Sequence, residues 1–277
     1  AITVNTAQSL TLKSNKKAPG SIAGEGDLVK NGQGTLTMND GNTGWTGNVY
    51  LNAGTIKVKG TSSLGKGDVY LKGGILNLGS KAVSNDIVQS GNAAIKSGKK
   101  FAGTYTLETG ELQKGSVLNM NGGKTATLKG GTVNGTISGN GKVNVTGTVK
   151  LGATGKITTS ALTLGANATL TTGAKGLSSK NTDISVGENA TLNLVGKVSA
   201  DSLSCTSGTL KATAPLALKG NLSASDSAVV CSGKVSAANL SMTGTEFKLV
   251  ASAPQSIALK GNATLTDSTL TANGKMS

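Results

Sequence analysis

The chain has 277 residues, of which 41 are glycine, 3 are proline and 2% are aromatic, and it carries a net charge of +14. A globular β-domain usually draws core volume from aromatic side chains, so this interior must be layered from Leu, Val, Ile, Ala and Met. Every basic residue is a lysine. The absence of histidine excludes a Ser-His or Cys-His nucleophile pair, and the scarcity of arginine forks and stacking aromatics argues against nucleic acid as a partner.

Taken in order, Ile2-Thr3-Val4 and Ser9-Leu10-Thr11-Leu12 read as strands, and a lysine-rich loop over 13–19 follows. Residues 1–33 are expected to hold a polar N-terminal cap and the first rungs, because the end of a stacked coil must meet water. From residue 34 the chain repeats itself. Gly34-Thr35-Leu36-Thr37-Met38 returns as Gly54-Thr55-Ile56-Lys57-Val58 and as Gly74-Ile75-Leu76-Asn77-Leu78, twenty residues apart each time. Asn48-Val49-Tyr50-Leu51 returns at the same interval as Asp68-Val69-Tyr70-Leu71. Alternating polar and apolar residues mark half-buried strands, and a fixed period near twenty with glycine corners marks a β-solenoid.

Further motifs interleave with the repeat. Asp27-Leu28-Val29-Lys30-Asn31-Gly32-Gln33-Gly34 opens it, and Asn42-Thr43-Gly44-Trp45-Thr46-Gly47, Ala53-Gly54-Thr55-Ile56, Ser63-Leu64-Gly65 and Gly73-Gly74-Ile75-Leu76 follow in order. Together these pieces, within residues 9–78, resemble the passenger-associated repeat of bacterial autotransporters, with Trp45 where that family usually has tyrosine. The resemblance implies a right-handed parallel β-helix that is exported, displayed at the cell surface or shed, with a repeat tied to secretion and folding and not to catalysis. In that family a membrane-embedded barrel follows the passenger. The long alternating strands of such a barrel are absent from this sequence, so a fragment or another export route is expected. Ala1 suits a mature N-terminus after signal removal and equally a trimmed one. No run approaches the ~20 apolar residues of a membrane span.

Beyond residue 79 the repeat decays but persists. Gly-x-apolar corners recur at Gly110, Gly131, Gly147 and Gly208, and Asn167-Ala168-Thr169-Leu170, Asn189-Ala190-Thr191-Leu192 and Asn262-Ala263-Thr264-Leu265 read as a variant corner whose asparagines stack in a ladder. No segment has a helical period, and 80–89 comes nearest. Residues 175–182 read as a loop, and 246–250 with Pro254 as a last irregular rung. The whole is read as one domain over 1–277, with its clearest repeats at 34–78 and degenerate repeats over 79–277, roughly 12–14 rungs at this period.

Chemistry is thinly signalled. A glycosidase needs two carboxylates across a cleft; the nearest pairs are Glu25 with Asp27, Glu108 with Glu111, and Asp183 with Glu188. No catalytic residue, cofactor or metal ligand is assigned. Trp45, Tyr50, Tyr70 and Tyr105 are the aromatics able to meet a sugar, and Tyr50 and Tyr70, one rung apart, are equally placed to stack on one another. Cys205 and Cys231 are 26 residues apart, a little over one rung; they read as a disulfide of an exported protein or as two small core residues. The lysines read as a solubilising, edge-protecting surface or as a face for acidic glycan or lipid head groups. The expectation is a non-catalytic extracellular or cell-surface stalk or adhesin meeting glycans or proteins. The alternatives are a carbohydrate-active enzyme, lyase or glycosidase, and an anionic-glycan binder.

Overall fold

A computed structural model describes residues 2–5, 8–12, 16–17, 20–97, 101–179, 181–250 and 256–272. The chain is all-β and winds through parallel stacked coils of about 19 residues, about 13 turns, as a β-solenoid. No helix occurs among the described residues, including 80–89, where a turn and an irregular stretch lead into the strand Ile87–Ser97. The chain divides into two compact units, residues 1–127 with 131–141 and residues 128–130 with 142–277.

In the first unit each repeat is two strands around a tight corner, followed by an irregular return. The pairing follows the sequence repeat residue for residue: Thr35, Leu36, Thr37 and Met38 lie on Thr55, Ile56, Lys57 and Val58. Thr55 and Ile56 in turn lie on Ile75 and Leu76. Val49, Tyr50 and Leu51 lie on Val69, Tyr70 and Leu71. Alternation then sends Leu36, Met38, Ile56 and Leu76 fully inside and leaves Thr35 and Lys57 in water. The corner demands glycine. Gly74 has φ +77°, and a Cβ there would stand 2.4 Å from the carbonyl oxygen of Gly54 in the coil below.

The irregular returns are held by buried polar side chains. The Asn42 amide oxygen accepts from Ile22 N at 2.8 Å, and its amide nitrogen donates to Ser63 O at 2.6 Å, tying together three successive coils. Trp45 is fully buried and donates from Nε1 to Gly26 O at 2.8 Å. Asn85 repeats the device two coils later, donating to Gly67 O at 2.8 Å. The Asn-x-x-Trp loop is therefore an internal staple.

Within 1–33, the strands Ile2–Val4, Ser9–Leu12 and Lys16–Lys17 already pair with the next coil, so the described residues of this segment supply the expected first rungs. The rest of the lysine-rich loop, residues 13–15 and 18–19, lies outside the described residues.

The second unit has three strand faces. The first stacks Ala161–Leu164, Asp183–Val186, Leu203–Thr206, Leu222–Ser225, Leu240–Thr243 and Ala263–Thr266. The second stacks Thr169–Thr172, Thr191–Leu194, Thr209–Ala212, Ala228–Cys231, Glu246–Leu249 and Thr269–Ala272. The third is a narrow sheet of Leu177–Ser178, Val198–Ala200, Leu216–Leu218, Val235–Ala237 and Ile257–Leu259. The interval 175–182, expected as a loop, is turn and irregular chain apart from the two-residue strand Leu177–Ser178 that starts the third face, with Lys180 outside the described residues. The segment 246–250 is also regular: Phe247 is buried in register between Val229 and Leu270, and a further coil follows. Pro254 lies outside the described residues.

The variant corner separates into two. Asn167 and Asn189 share a column with Ser207, Asp226 and Asp267, all left-handed with φ between 49° and 61°. Their backbone amides bond upward, Asn167 N to Glu188 O at 3.0 Å and Asn189 N to Ser207 O at 2.8 Å. Short polar side chains tolerate this conformation better than most. Asn262 belongs to a different corner, where a side-chain ladder does form. Asn239 Nδ2 donates to Asn221 Oδ1 at 2.9 Å, and Asn262 N donates to Asn239 Oδ1 at 3.0 Å.

Because each inward side chain touches mainly the coils on either side, damage should stay local. Ile56→Ala is expected to cost about 2–5 kcal/mol. Hydrogen exchange should show deprotection concentrated on the coils of Leu36, Ile56 and Leu76; uniform loss across the chain would contradict this picture.

Candidate functional site

The outward column on the first unit's opening face carries the aromatic pair. Tyr50 and Tyr70 stack with ring centroids 5.0 Å apart and planes at 11°. That separation follows from the ~4.8 Å spacing of paired strands. Val29 lies below Tyr50 in the ladder and Val88 above Tyr70. Stacking turns the ring faces onto each other and onto these neighbours, and sugars dock on faces, so the pair reads as a structural stack. Burial, and then the neighbouring Asp68 and Tyr50, push the Tyr70 phenol above its usual range. The other two aromatics are withdrawn from any ligand. Trp45 is the staple described above, and Tyr105 is buried with its hydroxyl donating to Gln89 Oε1 at 2.8 Å, so its pKa is raised. Inward orientation, set by strand phase and by the loop's return path, overrides the usual exposure of these types.

Several acids are engaged at the joints between coils. Asp27 Oδ1 accepts from Asn48 N at 2.8 Å, Asn48 Oδ1 from Asp68 N at 3.0 Å, and Asp86 Oδ1 from Thr104 N at 2.8 Å. Asp27 is thereby a corner acceptor, one of a column of such residues preceding successive strands. Glu111 Oε1 accepts from Asn134 Nδ2 at 2.9 Å. Asp40 Oδ1 accepts from both the hydroxyl and the backbone N–H of Ser62, at 2.6 and 3.0 Å, which lowers its pKa. Among the described residues no group of three or more Cys, Asp or Glu is placed to hold a metal ion.

Two inward polar residues escape a reading based on alternation alone. Lys30 occupies the core column that continues through Leu51, Leu71 and Gln89, and it has no accessible surface. Its ammonium bonds the carbonyls of Gly32 and Ala53, and desolvation lowers its pKa. Gln89 bonds Gly91 O at 2.7 Å and Glu111 O at 2.6 Å besides Tyr105. Both side chains replace corner hydrogen bonds that successive coils would otherwise lack.

Cys205 and Cys231 are free, buried thiols. They do fall in adjacent coils, yet Cys205 pairs with Ala224 on the first face and Cys231 with Ala212 on the second, so of the two readings offered by the sequence they are small core residues and not a disulfide. Burial raises both pKa values, Cys231 to about 12, and for Cys205 hydrogen bonds from Ser227 and Gly208 partly offset it.

The strongest charge feature is on the third face of the second unit. Lys197, Lys219, Lys234 and Lys260 are exposed at the ends of its strands. Sequence signals for them exist in Lys197-Val-Ser-Ala200 against Lys234-Val-Ser-Ala237, and in Ala217-Leu-Lys-Gly220 against Ala258-Leu-Lys-Gly261. These are repeats of two coils, hidden from a search at one coil's period.

Compared with protein-family models, with curated proteins and with solved structures, the chain matches none.

Two outcomes are expected from this chemistry. A depressed Lys30 pKa means that, between its folded value and 10.5, the unfolded chain binds more protons, so Lys30's penalty is relieved as pH rises. Unfolding midpoints should therefore climb toward pH 10 in the native protein relative to Lys30→Met; parallel profiles would remove the assignment. Thiol reagents should label neither cysteine until the protein unfolds, and reductant should leave the unfolding midpoint unchanged.

Proposed function

We propose that this protein is the non-catalytic, passenger-type β-solenoid of an exported bacterial protein, a stalk or adhesin that presents binding surface outside the cell. The observation that carries this reading is where the polar groups go. Asp27, Asn42, Asn48, Ser63, Asn85 and Asp86 spend their hydrogen bonds on the coil below or above. Such side chains stiffen a scaffold, whereas a hydrolytic site would keep carboxylates free to face a substrate. The motif resemblance within 9–78 adds the exported setting, and free buried thiols make the fold independent of the redox state met outside the cell.

The test joins retention and turnover. The protein is incubated with immobilised neutral and acidic polysaccharides at low and physiological salt, and reducing ends are counted in the same wells. Retention without release is the expected result, and release of sugar would overturn the non-catalytic reading. On intact cells of the native host, added protease should degrade the protein; full protection would overturn export.

A further inference from the structure

The third face of the second unit is a trough. Four of its five strands each turn one described residue outward, Ser199, Ala217, Ser236 and Ala258, stacked in register. All four are small and half exposed. The rims carry the lysines. Lys197 and Lys234 each precede their strand, two coils apart on one rim; Lys219 and Lys260 each follow theirs, two coils apart on the other. Successive coils therefore place one lysine each on alternating sides, at a step of about 4.8 Å per coil.

Two of these lysines, Lys219 and Lys260, border the floor directly. A groove of about 320 Å³ is lined by Ser199, Ala217, Leu218, Lys219 and Lys260, residues that span several coils. On the same face a cavity of about 200 Å³ lies between Gly155–Thr158 and Gly176, flanked by Lys156 and Lys175. Within the third-face stretches 175–179, 196–201, 214–219, 233–238 and 256–260, Asp201 is the one acid, and it lies 3.7 Å from Lys219.

We propose that this trough binds a linear anionic polysaccharide, lying across the coils with about one carboxylate per sugar, as in a 1,4-linked polyuronate. This inference rests on the non-catalytic display reading and names the ligand class. A small-residue floor admits a thin ribbon of sugar rings. A 1,4-linked chain turns successive rings over, so its carboxylates point alternately to either side, and the rim lysines alternate in the same way. Nucleic acid fits less well, because no aromatic or arginine lines the floor to hold a base. Flexible, hydrated ammonium groups suit exposed carboxylates on a chain that must slide into register.

The experiment titrates the intact chain with oligogalacturonate at low salt and follows binding calorimetrically. Lys197, Lys219, Lys234 and Lys260 are changed together to Gln. A control changes four exposed lysines elsewhere, Lys57, Lys72, Lys114 and Lys124, to Gln. The trough variant is expected to lose about tenfold or more in affinity, as four screened ion pairs would, with a shallower dependence on salt. The control should lose far less, and the methyl-esterified oligomer should not bind. Unchanged unfolding midpoints certify that both variants fold. Equal losses in the two variants, no loss in either, or tighter binding of single-stranded DNA than of oligogalacturonate would each overturn the trough. Those outcomes leave the display reading standing, and reducing-end release would sink that reading without touching the trough.

Discussion

The parallel backbone ladder between successive coils is the constraint from which the other features follow, because a strand residue finds its partners at the equivalent place about 19 residues away. Stacking is then set position by position. Leu36, Ile56 and Leu76 make one core column, and Tyr50 and Tyr70 meet because Val49 and Val69 do. A thin aliphatic interior suffices, since each layer is closed by the layers above and below it and needs no large aromatic side chain. The price is paid at the corners, where the chain must turn without losing its hydrogen bonds.

Two corner chemistries answer that need. In the first unit the left-handed residue lies directly before the strand, against the carbonyl of the coil below, and only glycine fits at Gly54 and Gly74. In the second unit the left-handed residue lies two positions before the strand, at Asn167, Asn189, Ser207, Asp226 and Asp267. A side chain there costs conformational strain of about 1–2 kcal/mol, and after Asp226 the following hydroxyl offsets some of it. Ser227 Oγ donates to Ser225 O at 2.6 Å and accepts from Gly208 N at 3.3 Å. The change of corner explains why the glycine repeat fades along the chain while the coil continues.

The same logic shapes the surface. A one-coil repeat makes every coil present the same outward residues, giving uniform columns such as Ser185, Ser204, Ser223 and Ser241. A two-coil repeat, as in the Lys-Val-Ser-Ala and Ala-Leu-Lys-Gly motifs, makes alternate coils differ, and so sets lysines on alternate rims of a single trough. Charge that looks merely abundant in composition is thereby ordered in space, at a spacing that only stacking supplies.

Read alone, the sequence determined the coil, its period and its register over 34–78, because glycine corners and strict alternation leave one way to bury Leu36, Ile56 and Leu76 together. It also placed Tyr50 and Tyr70 at equivalent positions one coil apart, while leaving open whether they stack or meet a ligand. What it left open were features that depend on which face a short strand occupies. Cys205 and Cys231 fall in adjacent coils, yet the turn between Thr206 and Thr209 carries them to separate faces. Asn262 shares its triplet with Asn167 and Asn189 but stands at another corner, since coil lengths vary and local sequence does not record the count. Trp45 and Tyr105 point inward, and Asp27 serves the coil above it, because their partners lie 16 to 21 residues away and are chosen by stacking. The lysine trough belongs to the same class: its residues are ordinary in the sequence and become a surface only when coils two apart are laid over one another.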